Sequence, residues 1–154
     1  MIETSVENVV IGAGTAGLAA YRAIVATGKS ALLIERGPYG TTCARVGCMP
    51  SKLLIAAAEA AHGVARWKTF GIHLKGQVQV DGRAVMQRVK RERDRFVGFV
   101  LDGVASIPDE HKIVGQARFV DQHTVEVDGE VRIHFERAVI ATGSSPVIPP
   151  MLQG

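Results

Sequence analysis

A three-layer α/β fold is predicted for this chain: a parallel sheet joined by crossover helices, with a small antiparallel β-meander. Three observations predict it. The apolar runs Val6–Ile11 and Ser30–Ile34 flank an alanine- and leucine-rich stretch, a βαβ unit of about 30 residues. Gly12-Ala13-Gly14-Thr15-Ala16-Gly17 occupies the first strand-to-helix junction. Beyond Pro108 the apolar period changes from helical to alternating.

Composition narrows the classes. The chain has 154 residues, 47% of them apolar and 21% charged, which is ordinary globular usage and one domain's length. Its 17 glycines follow no three-residue period, which excludes a collagen-like chain. No run is long and apolar enough for a membrane span. Met1-Ile2-Glu3-Thr4 lacks the basic-then-apolar build of a signal peptide, so a cytoplasmic location is expected. The net charge is +3. The densest basic stretch, Lys90-Arg91-Glu92-Arg93-Asp94-Arg95, is interleaved with acids. It reads as a solvated helix face, and no nucleic-acid partner is expected.

The elements follow in order. Val6–Ile11 is a buried strand ending at glycine. Leu18–Ala26 favours helix, and Gly28 stands where that helix ends. Ser30–Ile34 is a second buried strand closed by Glu35. Arg36 to Thr42 is a loop. An alanine-rich helix is expected from about Cys43 to His62, its alanines suited to close packing and Pro50 early in it. Arg83 to Ile107 is another helix, with Val85, Val89, Phe96, Val100 and Val104 sharing one face. Ile113-Val114, Ala117–Val120 and Thr124–Val127 read as short strands. Asp128-Gly129 signals a hairpin before Val131–Phe135, which completes the meander. Ala138–Ala141 is a buried strand ending at Thr142-Gly143-Ser144-Ser145-Pro146. Residues 1–146 are assigned to one domain and 147–154 to the start of a linker.

The glycine motif is Rossmann-like in this context. Gly12 permits a tight turn, Gly14 admits a pyrophosphate to the backbone, and Gly17 allows close helix–strand packing. Thr15 and Ala16 open a helix whose unpaired N–H groups attract phosphate. Glu35 ends the second strand, about 20 residues on, where a carboxylate accepts ribose hydroxyls and repels a 2′-phosphate.

Cys43 and Cys48 are the only cysteines. A regular helix places residues five apart on different faces, so one of them belongs to an irregular helix start, with Gly47 allowing the distortion. A structural disulfide, a zinc site and inert buried thiols are alternatives. The first closes only a tiny loop in a reducing compartment. The second lacks ligands, because His62, His73, His111, His123 and His134 are scattered, and no metal is expected. A redox-active pair is favoured, because a helix start lowers a thiol pKa.

Gly40-Thr41-Thr42-Cys43-Ala44-Arg45-Val46-Gly47-Cys48-Met49-Pro50-Ser51-Lys52 resembles the redox signature of the pyridine nucleotide–disulfide oxidoreductases, most of all its dihydrolipoamide dehydrogenase branch. The N-terminal glycine motif with Glu35 and the segment Ala141-Thr142-Gly143-Ser144-Ser145-Pro146 match that family in the same order. One departure is visible. The family usually has two glycines before Thr-Cys, and here the second is Thr41. This alters the loop expected at the flavin and leaves the cysteine spacing intact.

The resemblance implies a Rossmann-like FAD-binding three-layer fold with a disulfide packed on the flavin ring. It assigns FAD contacts to Gly12–Gly17, Glu35, Arg36, Gly40, Thr41, Thr42, Cys43, Lys52, Ala117, Ala141, Thr142 and Gly143. Cys48 becomes the charge-transfer thiolate and Cys43 the interchange thiol. Lys52, one helical turn after Cys48, brings a positive charge to reduced flavin. Dihydrolipoamide on a lipoyl domain of a 2-oxo acid dehydrogenase complex reduces the disulfide, and electrons pass through FAD to NAD⁺. The family also implies a longer, homodimeric parent with an NAD domain and a C-terminal His–Glu pair. Neither feature is in this sequence, so an N-terminal fragment with negligible turnover is expected. A glutathione reductase-like or mercuric reductase-like member, or a non-catalytic dinucleotide-binding module, is the alternative.

Overall fold

The computed structural model describes residues 1–145 and 147–152. They form two compact units, Met1–Tyr39 with Ile107–Gly154, and Gly40–Ser106.

The first unit is built on β1 (Ile2–Ile11), α1 (Thr15–Ala26) and β2 (Ala31–Glu35). The second unit supplies α2 (Thr42–Arg45), α3 (Cys48–Gly63) and α4 (Gly82–Ala105). The first unit resumes with β3 (Lys112–Val114), β4 (Ala117–Asp121), β5 (Thr124–Val127) and β6 (Val131–Ile140). Its sheet has the order β3-β2-β1-β6-β5-β4. The first three pairings are parallel and the last two antiparallel.

Consecutive residues Val9-Val10 and Leu32-Leu33-Ile34 are all buried, so this part of the sheet is covered on both faces. Val9, Leu32 and Ile34 share a cluster with Val125, Val127, Ile133 and Phe135, which joins the parallel and antiparallel regions through one core. α1 packs on β1 and β2, burying Leu18 and Tyr21. The Tyr21 hydroxyl lies 3.0 Å from His111 Nδ1, anchoring that helix to the chain before β3.

Several expectations are corrected here. Val131–Phe135 and Ala138–Ala141 are not separate strands. Val131–Phe135 and the first three residues of the second run belong to one ten-residue strand, β6, which ends before Ala141 and runs through the polar pair Glu136-Arg137 because Arg137 keeps its place opposite Asn8 of β1. The meander is therefore continuous with the parallel sheet. Ile113-Val114 lies outside the meander, parallel to β2 at the opposite edge. β1 begins at Ile2, four residues early, because Ile2–Ser5 pair with Val131–His134. The hairpin expected at Asp128-Gly129 is present, with φ of 50° and 74°, the two positive values of a type I′ turn.

In the second unit α3 packs on α4, and α2 contacts both. The helix expected over 43–62 is interrupted at Val46-Gly47, which separates α2 from α3. α3 packs on α4, yet none of its residues is fully buried, and Leu54 and Ile55 stay exposed. α4 is capped by Asp81, whose Oδ1 accepts from Ala84 N–H at 3.0 Å. Val89 and Val104 are buried and Val85, Phe96 and Val100 half-buried on its apolar face. Lys90, Arg91, Asp94 and Arg95 are exposed as expected, while Glu92 and Arg93 are half-buried. Among the described residues no helix is long and apolar enough to cross a membrane.

Candidate functional site

The end of β1 builds a nest. Gly12 N–H donates to Ile34 O at 2.7 Å, and Ala141 N–H to Ile11 O at 2.8 Å, so three parallel strands converge on the turn. A Cβ on Gly12 would stand 2.3 Å from Ala141 O, and one on Gly17 would stand 1.7 Å from Gly12 O. Both glycines are thus required by packing. Gly14 is different. A Cβ there meets nothing within 4 Å, and its φ of −76° is open to any residue. Packing does not require this glycine, and the space beside it is open. The first intrahelical bond of α1 runs from Leu18 N–H to Gly14 O, and no side chain caps the helix start. The amides of Thr15, Ala16 and Gly17 precede that bond, so the positive end of a twelve-residue helix faces open space. This fits the diphosphate of a dinucleotide.

Glu35, at the end of β2, is half-buried. One carboxylate oxygen accepts from Ala13 N–H at 2.6 Å and the other from Gly37 N–H at 2.9 Å. The carboxylate is thereby fixed beside the nest, and each oxygen keeps a lone pair for a hydroxyl donor. Arg36 donates to Gln116 Oε1 at 3.3 Å. Gly115 N–H donates to Glu35 O at 2.9 Å, and Gln116 N–H to Asp128 Oδ1 at 2.9 Å. These bonds bring the start of β4, with half-buried Ala117, to the Glu35 end of β2. Thr142 and Gly143 are exposed just beyond β6, and Gly143 has φ of 71°.

The dithiol belongs to the second unit. Cys43 lies in the one-turn helix α2 and Cys48 opens α3. Both are free thiols, Cys43 half-buried and Cys48 exposed. The two helices that carry them are in contact, and the Cys48 side chain acts directly on the Cys43 thiol. Gly47 lies in the break between the helices, where a Cβ would stand a tight 3.1 Å from Thr42 O. Gly40, with φ of 116°, packs under Arg45 and Val97. Lys52 is exposed, one turn along α3 from Cys48.

The electronic character of the pair departs from expectation. The Cys43 thiol is pushed above its ordinary pKa, first by its hydrogen bond to Cys48, then by burial and by the charge of Cys48. The amides of Cys48 and Met49, at the start of α3, bond to Cys43 and pull the other way. The helix start does act on a thiol, as expected, but its partner sulfur outweighs it.

The residues expected at one FAD site fall in two units: Gly12–Gly17, Glu35, Arg36, Ala117 and Ala141–Gly143 in the first, Gly40–Cys43, Cys48 and Lys52 in the second. Sequence reasoning missed Gln116 and Asp128, whose polar bonds fix the β4 start. The Asp-Gly turn was the available signal for Asp128. It also missed Tyr39, whose hydroxyl is buried without a hydrogen-bond partner among the described residues.

An α/β nucleotide nest followed in the chain by a close dithiol defines a redox flavoprotein architecture. The chain matches the Pyridine nucleotide-disulphide oxidoreductase family over residues 6–154, and it belongs to that family. It is 37% identical to a mercuric reductase of Serratia marcescens, over 97% of this chain and 34% of the relative. It is 33% identical to dihydrolipoyl dehydrogenase 2 of Haloarcula marismortui, over 97% of this chain and 32% of the relative. The HOCl-induced flavoprotein disulfide reductase RclA of Escherichia coli superposes with a TM-score of 0.71 at 29% identity, covering 94% of this chain and 29% of that one. The chain thus spans about a third of the length of these relatives and forms an FAD-binding portion of the family's fold.

Proposed function

We propose that residues 1–146 hold FAD through the Gly12–Gly17 nest, Glu35, Arg36, Ala117 and Ala141–Gly143, and that Cys43 and Cys48 exchange electron pairs with a dithiol substrate. The observation that carries the reading is the pair itself: two free thiols on contacting helices, α2 and α3, separated only by the break at Val46-Gly47. Bound FAD supplies two-electron acceptor chemistry.

The chain's own residues do the rest. In the oxidised pair, Cys43 is the sulfur attacked by a substrate thiolate. A mixed disulfide forms and Cys48 leaves as thiolate. The second substrate thiol then displaces Cys43. The substrate is oxidised to its disulfide, and Cys43 and Cys48 take up the electron pair. The amides of Cys48 and Met49 stabilise negative charge on the departing Cys43 sulfur. Lys52 adds a positive charge on the same helix. Residues 147–154 lead into further domains in this reading, and the full protein is a cytoplasmic homodimer that hands electrons to NAD⁺. Its substrate is dihydrolipoamide on a lipoyl domain of a 2-oxo acid dehydrogenase complex. The similarity to dihydrolipoyl dehydrogenases supports that choice.

A second reading, reduction of thiol-bound Hg(II), is favoured by the somewhat higher identity to mercuric reductases. One anaerobic experiment separates the two. The chain is loaded with FAD and mixed with dihydrolipoamide, and the dithionite-reduced chain is mixed with Hg(II). Flavin bleaching by dihydrolipoamide, with no reoxidation by Hg(II), supports the first reading. The reverse pattern supports the second. No bleaching by dihydrolipoamide together with no reoxidation by Hg(II) contradicts both.

A further inference from the structure

Thr41 stands where glycine is expected, and its backbone shows why that matters. Its φ is 58° and ψ 147°, a region that β-branched residues almost never occupy. Asp128 is the other non-glycine residue with positive φ among the described residues, and a type I′ turn accounts for it. No turn of that kind accounts for Thr41. Its side chain instead takes on a task. The Thr41 hydroxyl accepts from Ala44 N–H at 3.1 Å, and its carbonyl accepts from Arg45 N–H at 3.1 Å. These two bonds and Val46 N–H to Thr42 O hold α2, a single turn carrying Cys43. One turn has no cooperative stability of its own, so its shape depends on such bonds. A glycine at 41 would fit the backbone but offer no cap.

We propose that Thr41 is a positioning residue for the dithiol: its hydroxyl clamps α2 so that Cys43 stays within reach of Cys48, which favours closure of the disulfide. The proposal rests on the redox reading above. Closure is measured against oxidised dithiothreitol. Cys43–SH and Cys48–SH lose two electrons and two protons, an S–S bond forms, and dithiothreitol is reduced by the same amount.

The test compares Thr41→Val, which keeps the branched shape and loses the hydroxyl, with Thr41→Ser, which keeps the hydroxyl. In the Val variant the equilibrium is expected to move toward the open dithiol roughly fivefold, the weight of one capping bond. In the Ser variant it should stay within about twofold of the parent. An unchanged Val variant, or equal shifts in both, overturns the proposal. Amide exchange in the unmodified chain needs no variant. Protection of Ala44 N–H comparable to that of Arg45 is expected, and an unprotected Ala44 amide overturns the clamp. If the parent pair forms no disulfide at any dithiothreitol ratio, the redox reading fails. If it does and the Val variant matches it, only the role of Thr41 fails.

Discussion

The nest and the dithiol loop hold their shapes by different means. The nest is made by distant segments: β1, β2 and the end of β6 meet at Gly12 through main-chain bonds, and glycine contacts of 1.7–2.3 Å to a hypothetical Cβ leave no slack. The dithiol loop is local. Two consecutive helices, one a single turn, bring the sulfurs together with few buried side chains around them. The contrast teaches that binding geometry here is set by global packing, while thiol chemistry is set by a handful of short-range contacts. Substitutions in the nest should therefore act through stability or affinity, and those in the loop through reactivity.

The largest effect is expected at Gly17. Gly17→Ala drives a Cβ into Gly12 O and should cost about 3 kcal/mol, the upper range of overpacking, measured by urea unfolding. Gly14→Ala sharpens the comparison, because nothing lies within 4 Å of its Cβ. Its stability should stay within about 1 kcal/mol of the parent, while FAD affinity by fluorescence titration falls at least about tenfold, as a methyl group intrudes on the diphosphate. Equal losses at both positions would break the distinction.

Next comes the loop. Cys48 is the first cause of the raised Cys43 pKa, so the Cys43 thiol is the protonated form at neutral pH. Its alkylation by iodoacetamide should accelerate as pH rises into the alkaline range. Cys48→Ser removes the partner sulfur while the amides of residues 48 and 49 remain. The Cys43 profile should then move to lower pH, with faster alkylation near neutrality. An unmoved profile would show that burial, the second cause, dominates.

The smallest expected effect lies at the rim of the nest. Glu35→Gln keeps an acceptor for one of the amides of Ala13 and Gly37. It should weaken FAD binding by roughly three- to tenfold, the net weight of one ordinary hydrogen bond, with little change in unfolding midpoint.

The same contrast explains what could be read from residues alone. The βαβ unit, the glycine nest, Glu35 and the Asp128-Gly129 hairpin were legible because each has a fixed local pattern: an apolar run, a left-handed turn, a strand end. The single long β6 was not, because Glu136-Arg137 breaks the apolar alternation and only pairing with β1 carries the strand through. The position of β3 beside β2 is likewise a long-range pairing with no local mark. In the loop, the spacing of Cys43 and Cys48 demanded an irregular helix start, and the break at Val46-Gly47 meets it. The net direction of the Cys43 shift depends on the Cys48 side chain and on burial, which outweigh the helix-start amides that lower it. The function of Thr41 was hidden for a related reason, since a departure from a pattern does not reveal which hydrogen bond replaces it.

In the proposed function, electrons pass between the Cys43–Cys48 pair and FAD held by the nest. The most direct measurement is an anaerobic dithiol titration of the FAD-loaded chain, followed by absorbance. A new long-wavelength band is predicted on reduction of the pair, present in the parent and absent in Cys48→Ser. A spectrum that changes identically in both proteins, or FAD that leaves the chain on gel filtration at micromolar concentration, would contradict it.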